Sequence, residues 1–156
     1  MLTENADKTF SATIDDKLYR FTRWDADKSF RVLAELSACI GEGLNLGQMA
    51  IAQDNLSQKV SLATMAAKAL MSGIGSDPER SLRLVKRLCC DGVFRDDRKL
   101  REQDFGQDYS GDMMHVFSVS VAALEVHFER FFILLRGLLA TVQRQPQTSS
   151  PSSTTP

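Results

Sequence analysis

Two histidines and three cysteines are the side chains with the widest range of chemistry in this sequence. His115 and His127 lie twelve residues apart, which on one helix is about 18 Å, so they cannot share a metal ion or a substrate. Cys39, Cys89 and Cys90 could each pair with a histidine as a nucleophile, but no local motif supports such a pair. An odd cysteine count without a C-x-x-C pair favours free thiols in a reducing compartment. His127 has apolar neighbours and is predicted to be a core or interface histidine.

Acidic residues recur every fourth position at Asp104, Asp108 and Asp112. This segment lacks the alternating oxygen ligands and the fixed glycine of a calcium loop, so we predict a solvated, acidic approach to a helix. The kinase-like triplet beginning at Asp104 has no other kinase motif beside it. Gly41 and Gly43 are not part of a phosphate-binding loop. We therefore predict no enzymatic activity, no cofactor, no metal site and no small-molecule substrate.

A basic helix face is the strongest argument for nucleic-acid binding. It comprises Arg80, Arg83, Lys86 and Arg87, and the hairpin predicted after it carries Arg95, Arg98 and Lys99, as in a winged-helix reader of DNA. However, the proposed wing also contains Asp91, Asp96 and Asp97, and the formal net charge of the chain is -1. A solvated basic face is the favoured interpretation, with a small DNA-binding regulator kept as an alternative.

Length and composition are those of an ordinary globular domain. The chain has 156 residues, of which 43% are hydrophobic and 25% are charged. This length suits one domain with a sizeable core and a tail. A charge near zero exerts no general attraction to nucleic acid or to an anionic membrane. Residues 1–8 lack the basic start and the apolar stretch of a signal peptide.

The N-terminal third predicts a β-hairpin followed by a helix. Residues 9–14 and 18–23 alternate apolar and polar types around a turn at Asp15–Lys17. Asp25 or Asp27 can cap a helix that runs to about Ile40. Its apolar arc is predicted to contain Phe30, Val32, Leu33, Ala34, Leu36 and Ile40.

The middle of the chain predicts two further helical segments and a second hairpin. Residues 44–71 are mostly helical in pattern. Asp77 followed by Pro78 begins a helix over 80–90, with an apolar face of Leu82, Leu84, Val85, Leu88 and Cys89. Residues 93–100 predict a short hairpin around Asp96, and residues 101–111 a polar loop.

The longest helix is predicted from Asp112 to about Val142. It is apolar around most of its circumference, so it is either central to a core or covered by a partner. A membrane span is disfavoured because charged residues interrupt it at Glu125, Glu129, Arg130 and Arg136. Each charge near the centre of a bilayer raises the free energy of insertion by about 2.5–3.5 kcal/mol. The predicted fold is mainly α (α+β), a small helical domain with a short N-terminal β-hairpin and a long C-terminal helix. Its predicted core contains Phe30, Leu33, Leu36, Leu124 and Phe128.

Two stretches of the sequence resemble the tail assembly chaperones of long-tailed bacteriophages. The first joins Tyr19-Arg-Phe-Thr-Arg23 to the helix containing Phe30-Arg-Val-Leu-Ala-Glu-Leu36. The second is Leu124-Glu-Val-His-Phe-Glu-Arg-Phe-Phe132, where His127 replaces the asparagine of that family's ending. The similarity extends over residues 9–140 and is weakest in the middle.

The resemblance implies a non-enzymatic chaperone of the host cytoplasm, without a cofactor. Such proteins bind the tape-measure protein and help tail-tube protein subunits to assemble around it. The partner-binding residues are predicted to be Phe131, Phe132, Leu135 and Leu139, with Arg80, Arg83 and Arg87 attracting acidic flanks of the partner. A homo-oligomer that covers the same face is an alternative. A minor structural tail protein or adaptor is the alternative function.

The last residues predict a tail outside the folded domain. Residues 143–156 contain three of the four prolines and many serines and threonines, but no aromatic residue. Such a segment cannot bury enough apolar area to offset the entropy of ordering. We therefore divide the chain into a chaperone-like domain over residues 1–142 and a disordered tail over residues 143–156.

Removing residues 144–156 tests this division. We expect the thermal midpoint, measured by calorimetry, to be nearly unchanged because the tail contributes no core contacts. A fall of more than about 5 °C, roughly 1–2 kcal/mol for a domain of this size, would show that the tail packs on the domain.

Overall fold

A computed structural model describes residues 2–41, 62–72 and 77–143. Its strands are β1 (Thr3–Glu4), β2 (Thr9–Ile14), β3 (Lys17–Thr22), β4 (Val93–Arg95) and β5 (Arg98–Lys99). Its helices are α1 (Ala26–Gly41), α2 (Leu62–Ser72), α3 (Pro78–Cys90), α4 (Phe105–Tyr109) and α5 (Met113–Gln143), with a 3-10 turn at Glu102–Asp104. The predicted α+β class, dominated by helices, is confirmed for these residues.

The predicted hairpin is confirmed as β2 and β3. The strands pair antiparallel, with Phe10 opposite Phe21 and Ile14 opposite Lys17. The two residues between them, Asp15 and Asp16, have φ of +48° and +61°. Positive φ at both central residues is the signature of a type I′ turn, whose twist matches that of the strands.

The predicted N-terminal hairpin is part of a larger, five-stranded antiparallel sheet among the described residues. The strands follow chain order, from β1 to β5. The second predicted hairpin, β4 and β5, is confirmed, and it joins the first through pairing of β3 with β4. The description of a short N-terminal hairpin is therefore corrected: about 70 residues of chain separate two neighbouring strands.

One face of the sheet lies on the core and the other faces solvent. The strands alternate, so each contributes every second residue to the inner face. The buried residues of this face are Phe10, Ala12, Tyr19, Phe21 and Val93. The opposite face carries Ser11, Arg20, Phe94 and Lys99 across the central strands.

Aspartate side chains begin three of the helices, as predicted. Asp25 Oδ1 accepts a hydrogen bond from Lys28 N at 2.8 Å before α1. Asp77 Oδ1 accepts from Arg80 N at 3.0 Å, with Pro78 at the first position of α3. Asp112 Oδ1 accepts from His115 N at 3.0 Å at the start of α5. Each cap satisfies a backbone donor that would otherwise have no partner in the helix.

The first half of α5 is the central element of the fold. It packs against β2, α2 and α3, while α1 packs against α2 and α3. Its buried residues are His115, Val116, Val119, Ser120, Ala122, Ala123, Leu124, Val126 and Phe128. Within the three described ranges, no helix has both the length and the hydropathy for crossing a membrane.

The apolar arc predicted for α1 is too wide. Val32 and Leu36 are buried and Leu33 is half-buried, but Phe30 is 73% exposed and Ala34 is also exposed. Because α2 and α3 cover one side of α1, a residue two positions from Val32 lies about 160° away from that side. Phe30 is therefore not a core residue, whereas Leu36, Leu124 and Phe128 are.

Three further predictions are corrected or incomplete. Leu82 was assigned to the apolar face of α3 but is 47% exposed, whereas Leu84, Val85, Leu88 and Cys89 of that face are buried. Residues 101–111 are not a polar loop, since they contain α4, whose Tyr109 is buried and donates to the Cys89 carbonyl at 2.8 Å. Of the helical pattern predicted over 44–71, only the part in α2 lies in the described ranges. The predicted tail lies outside the described residues after residue 143.

A pair of alanine variants in α1 tests this assignment of the core. Leu36→Ala should lower the free energy of unfolding by about 2–5 kcal/mol, because it removes a fully buried side chain and leaves a cavity. Phe30→Ala should change it by less than about 0.5 kcal/mol. Denaturant titration of both variants measures the difference, and equal losses would contradict this placement of α1.

Candidate partner-binding surface

His115 ties the start of α5 to the first hairpin. Its ring is buried, with Nδ1 2.6 Å from Asp15 Oδ2 and Nε2 2.7 Å from the Tyr19 hydroxyl. A carboxylate only accepts hydrogen bonds, so Nδ1 donates to Asp15, and Nε2 shares a second hydrogen bond with the Tyr19 hydroxyl. Turn, strand and helix are thereby held in one arrangement.

Asp108 is a buried partner of two arginines, not part of a solvated acidic approach. Its side chain is only 5% exposed, and its Oδ1 lies 3.0 Å from Arg95 Nη2 and also contacts Arg98. Arg95 Nη1 also donates to the Asp108 carbonyl at 2.6 Å. Moving a carboxylate from water into the protein interior costs several kcal/mol of hydration free energy, so a buried carboxylate needs a paired positive charge. The two arginines that would have contacted phosphates in a winged-helix protein are therefore already paired within the fold.

Trp24 and His127 form a stacked pair near the middle of α5. Their rings are nearly parallel, with centroids 3.8 Å apart, and Trp24 N donates to His127 Nδ1 at 3.3 Å. Trp24 Nε1 donates to the Asp91 carbonyl at 2.9 Å, and Lys28 forms an ion pair with the Asp91 carboxylate. The prediction that His127 is a core or interface histidine is confirmed.

Burial keeps His127 neutral. Burial is the main cause, and the nearby positive charges of Arg23 and Lys28 a further cause, of a pKa that falls from 6.5 to about 3. Because Nδ1 accepts from Trp24, the single hydrogen lies on Nε2, which is buried and has no partner among the described residues. A second proton would break the bond from Trp24 and add a charge beside two cations.

The core stops covering α5 after Phe128. Residues seven positions apart lie on nearly the same face of a helix. Leu124 and Phe131 share one face, yet the first is fully buried and the second is 39% exposed. Val126 and Ile133 share another face and are 3% and 59% exposed. We call residues 129–143, which complete the helix after Phe128, the α5 arm.

The sequence of the α5 arm is rich in large apolar residues. They are Phe131, Phe132, Ile133, Leu134, Leu135, Leu138, Leu139 and Val142. Phe131 is 39% exposed and Ile133 is 59% exposed. The structure places Phe132, Leu135 and Leu139 in the same helix, while their side chains lie outside the described part.

The predicted basic residues lie on α3, not on α5. Arg83 is exposed and Arg80 is half-buried. Arg87 Nη1 lies 3.0 Å from Glu35 Oε1 on α1, and Lys86 lies over the Phe105 ring. The face is therefore less basic than its sequence suggests, because part of its charge serves contacts between helices.

The sequence patterns did not identify Trp24, although it is the only tryptophan. It lies between β3 and α1, outside both periodic segments, so neither the strand pattern nor the helix pattern included it. A lone large aromatic residue at the junction of two predicted elements was the available signal. A buried Trp of this kind normally needs a hydrogen-bond partner for its indole N–H.

His127 predicts a specific loss of stability in acid. Its pKa is lower in the folded chain than in the unfolded chain, so the unfolded state binds the proton more tightly. The stabilisation is complete above about pH 6.5 and is lost as the pH falls towards 3. Between pH 7 and 5 the free energy of unfolding should fall by about 2 kcal/mol more in the native protein than in the His127→Asn variant. Asparagine keeps an acceptor for Trp24 N but does not titrate.

Denaturant titration of both proteins at each pH measures this difference. Parallel losses for the native chain and His127→Asn would contradict the assignment of a neutral, buried ring. The comparison cancels other titrating groups, since these are the same in both proteins.

Comparison with known proteins gives one match. No curated protein and no solved structure is found to match. Residues 15–140, about four fifths of the chain, match the family described as phage tail assembly chaperone protein, TAC. This match agrees with the resemblance drawn from the two ends of the domain. The chain therefore belongs to the phage tail assembly chaperone family.

Proposed function

We propose that this chaperone binds an apolar helical segment of the tape-measure protein on the α5 arm, and that tail-tube protein subunits then assemble around that segment. The observation that carries the proposal is the end of burial within a continuous apolar helix: Val126 is buried and Ile133, on the same face, is 59% exposed. Exposed apolar patches of several hundred Å² usually mark a site for a partner. We further propose a non-enzymatic role in the host cytoplasm.

The arm suits a partner helix better than an extended peptide. A helix presents side chains at positions i, i+3, i+4 and i+7, and a partner helix with an apolar face can lie along them. Phe132, Leu135 and Leu139 lie at positions i, i+3 and i+7, and Phe131 lies four residues before Leu135. Two or three such anchors supply most of the affinity in a typical helix-in-groove complex.

The body of the protein holds the arm in place. His115 fixes the start of α5, and Trp24 stacks on His127 one turn before Phe131. A partner that binds the arm therefore meets a helix that is already formed, which lowers the ordering cost of binding. Arg80 and Arg83 add positive charge on the neighbouring α3, which would increase the association rate with acidic flanks of the partner.

Co-expression with the tape-measure protein tests the proposal. The native chaperone should keep that protein in the soluble fraction, whereas Phe132→Asp with Leu135→Asp should let it precipitate. The matched control is Phe30→Asp with Ala34→Asp, which introduces the same two charges on the exposed face of α1. We expect this control to protect as the native protein does.

Circular dichroism of each purified variant verifies that the fold is intact. If the folded arm variant protects the tape-measure protein as well as the native chain does, the α5 arm is not the binding site. Presence of the protein in mature particles would instead support the alternative role as a structural tail component.

A further inference from the structure

We draw no further inference here: the strongest candidate, the cleft of about 420 Å³ beside Leu18, Arg20 and Asp97 on the solvent face of the sheet, is lined by exposed or half-buried side chains, and nothing in the described part of the chain shows what ligand or partner would cover it.

Discussion

The stacking of Trp24 on His127 is the contact on which the arrangement of sheet and helices depends. Trp24 ends the hairpin and begins α1, its indole N–H binds the Asp91 carbonyl at the end of α3, and its backbone N–H binds α5. Gly92, next to Asp91, has φ of +74°, and a Cβ there would lie 3.0 Å from the Thr22 carbonyl. The close approach of these four segments therefore requires glycine at position 92.

This contact uses two properties of the His127 side chain. Its Nδ1 accepts a hydrogen bond from Trp24 N, and its ring stacks on the indole. Such a stacked pair contributes about 0.5–1.5 kcal/mol beyond its buried area. The cost is an imidazole Nε2 that is buried without a partner in the described part of the chain. Stability and acid sensitivity thus come from the same side chain.

Local patterns in the sequence predicted the local structure, and they failed where a residue's environment comes from distant segments. The turn at Asp15, the caps at Asp25, Asp77 and Asp112, and the length of α5 follow from neighbours within four residues. Pairing of β3 with β4 and burial of Asp108 depend on segments far apart in the chain, which periodicity does not encode. Phe30 shows the same limit, because its residue type favours burial but its side chain is 73% exposed.

For the candidate site, the sequence predicted the helix and its excess of apolar residues but not where the core ends. A wheel drawn from the sequence treats Val126 and Ile133 alike, because they share a face. Only the positions of β2, α2 and α3 reveal that one is covered and the other is not. Burial along α5 therefore falls near Phe128, from a part that packs in the core to one in which Phe131 and Ile133 are exposed.

The pairing of β3 with β4 has a consequence for synthesis of the protein on the ribosome. Phe21 pairs with Val93, so the first hairpin is complete about 70 residues before its neighbouring strand has been translated. At about 5–20 residues per second, this interval is roughly 4–14 s. Throughout it, the backbone N–H and C=O groups at the edge of β3 have no strand beside them, and open edges invite pairing with other chains. The nascent chaperone is thus most exposed to misassociation before its own sheet can close.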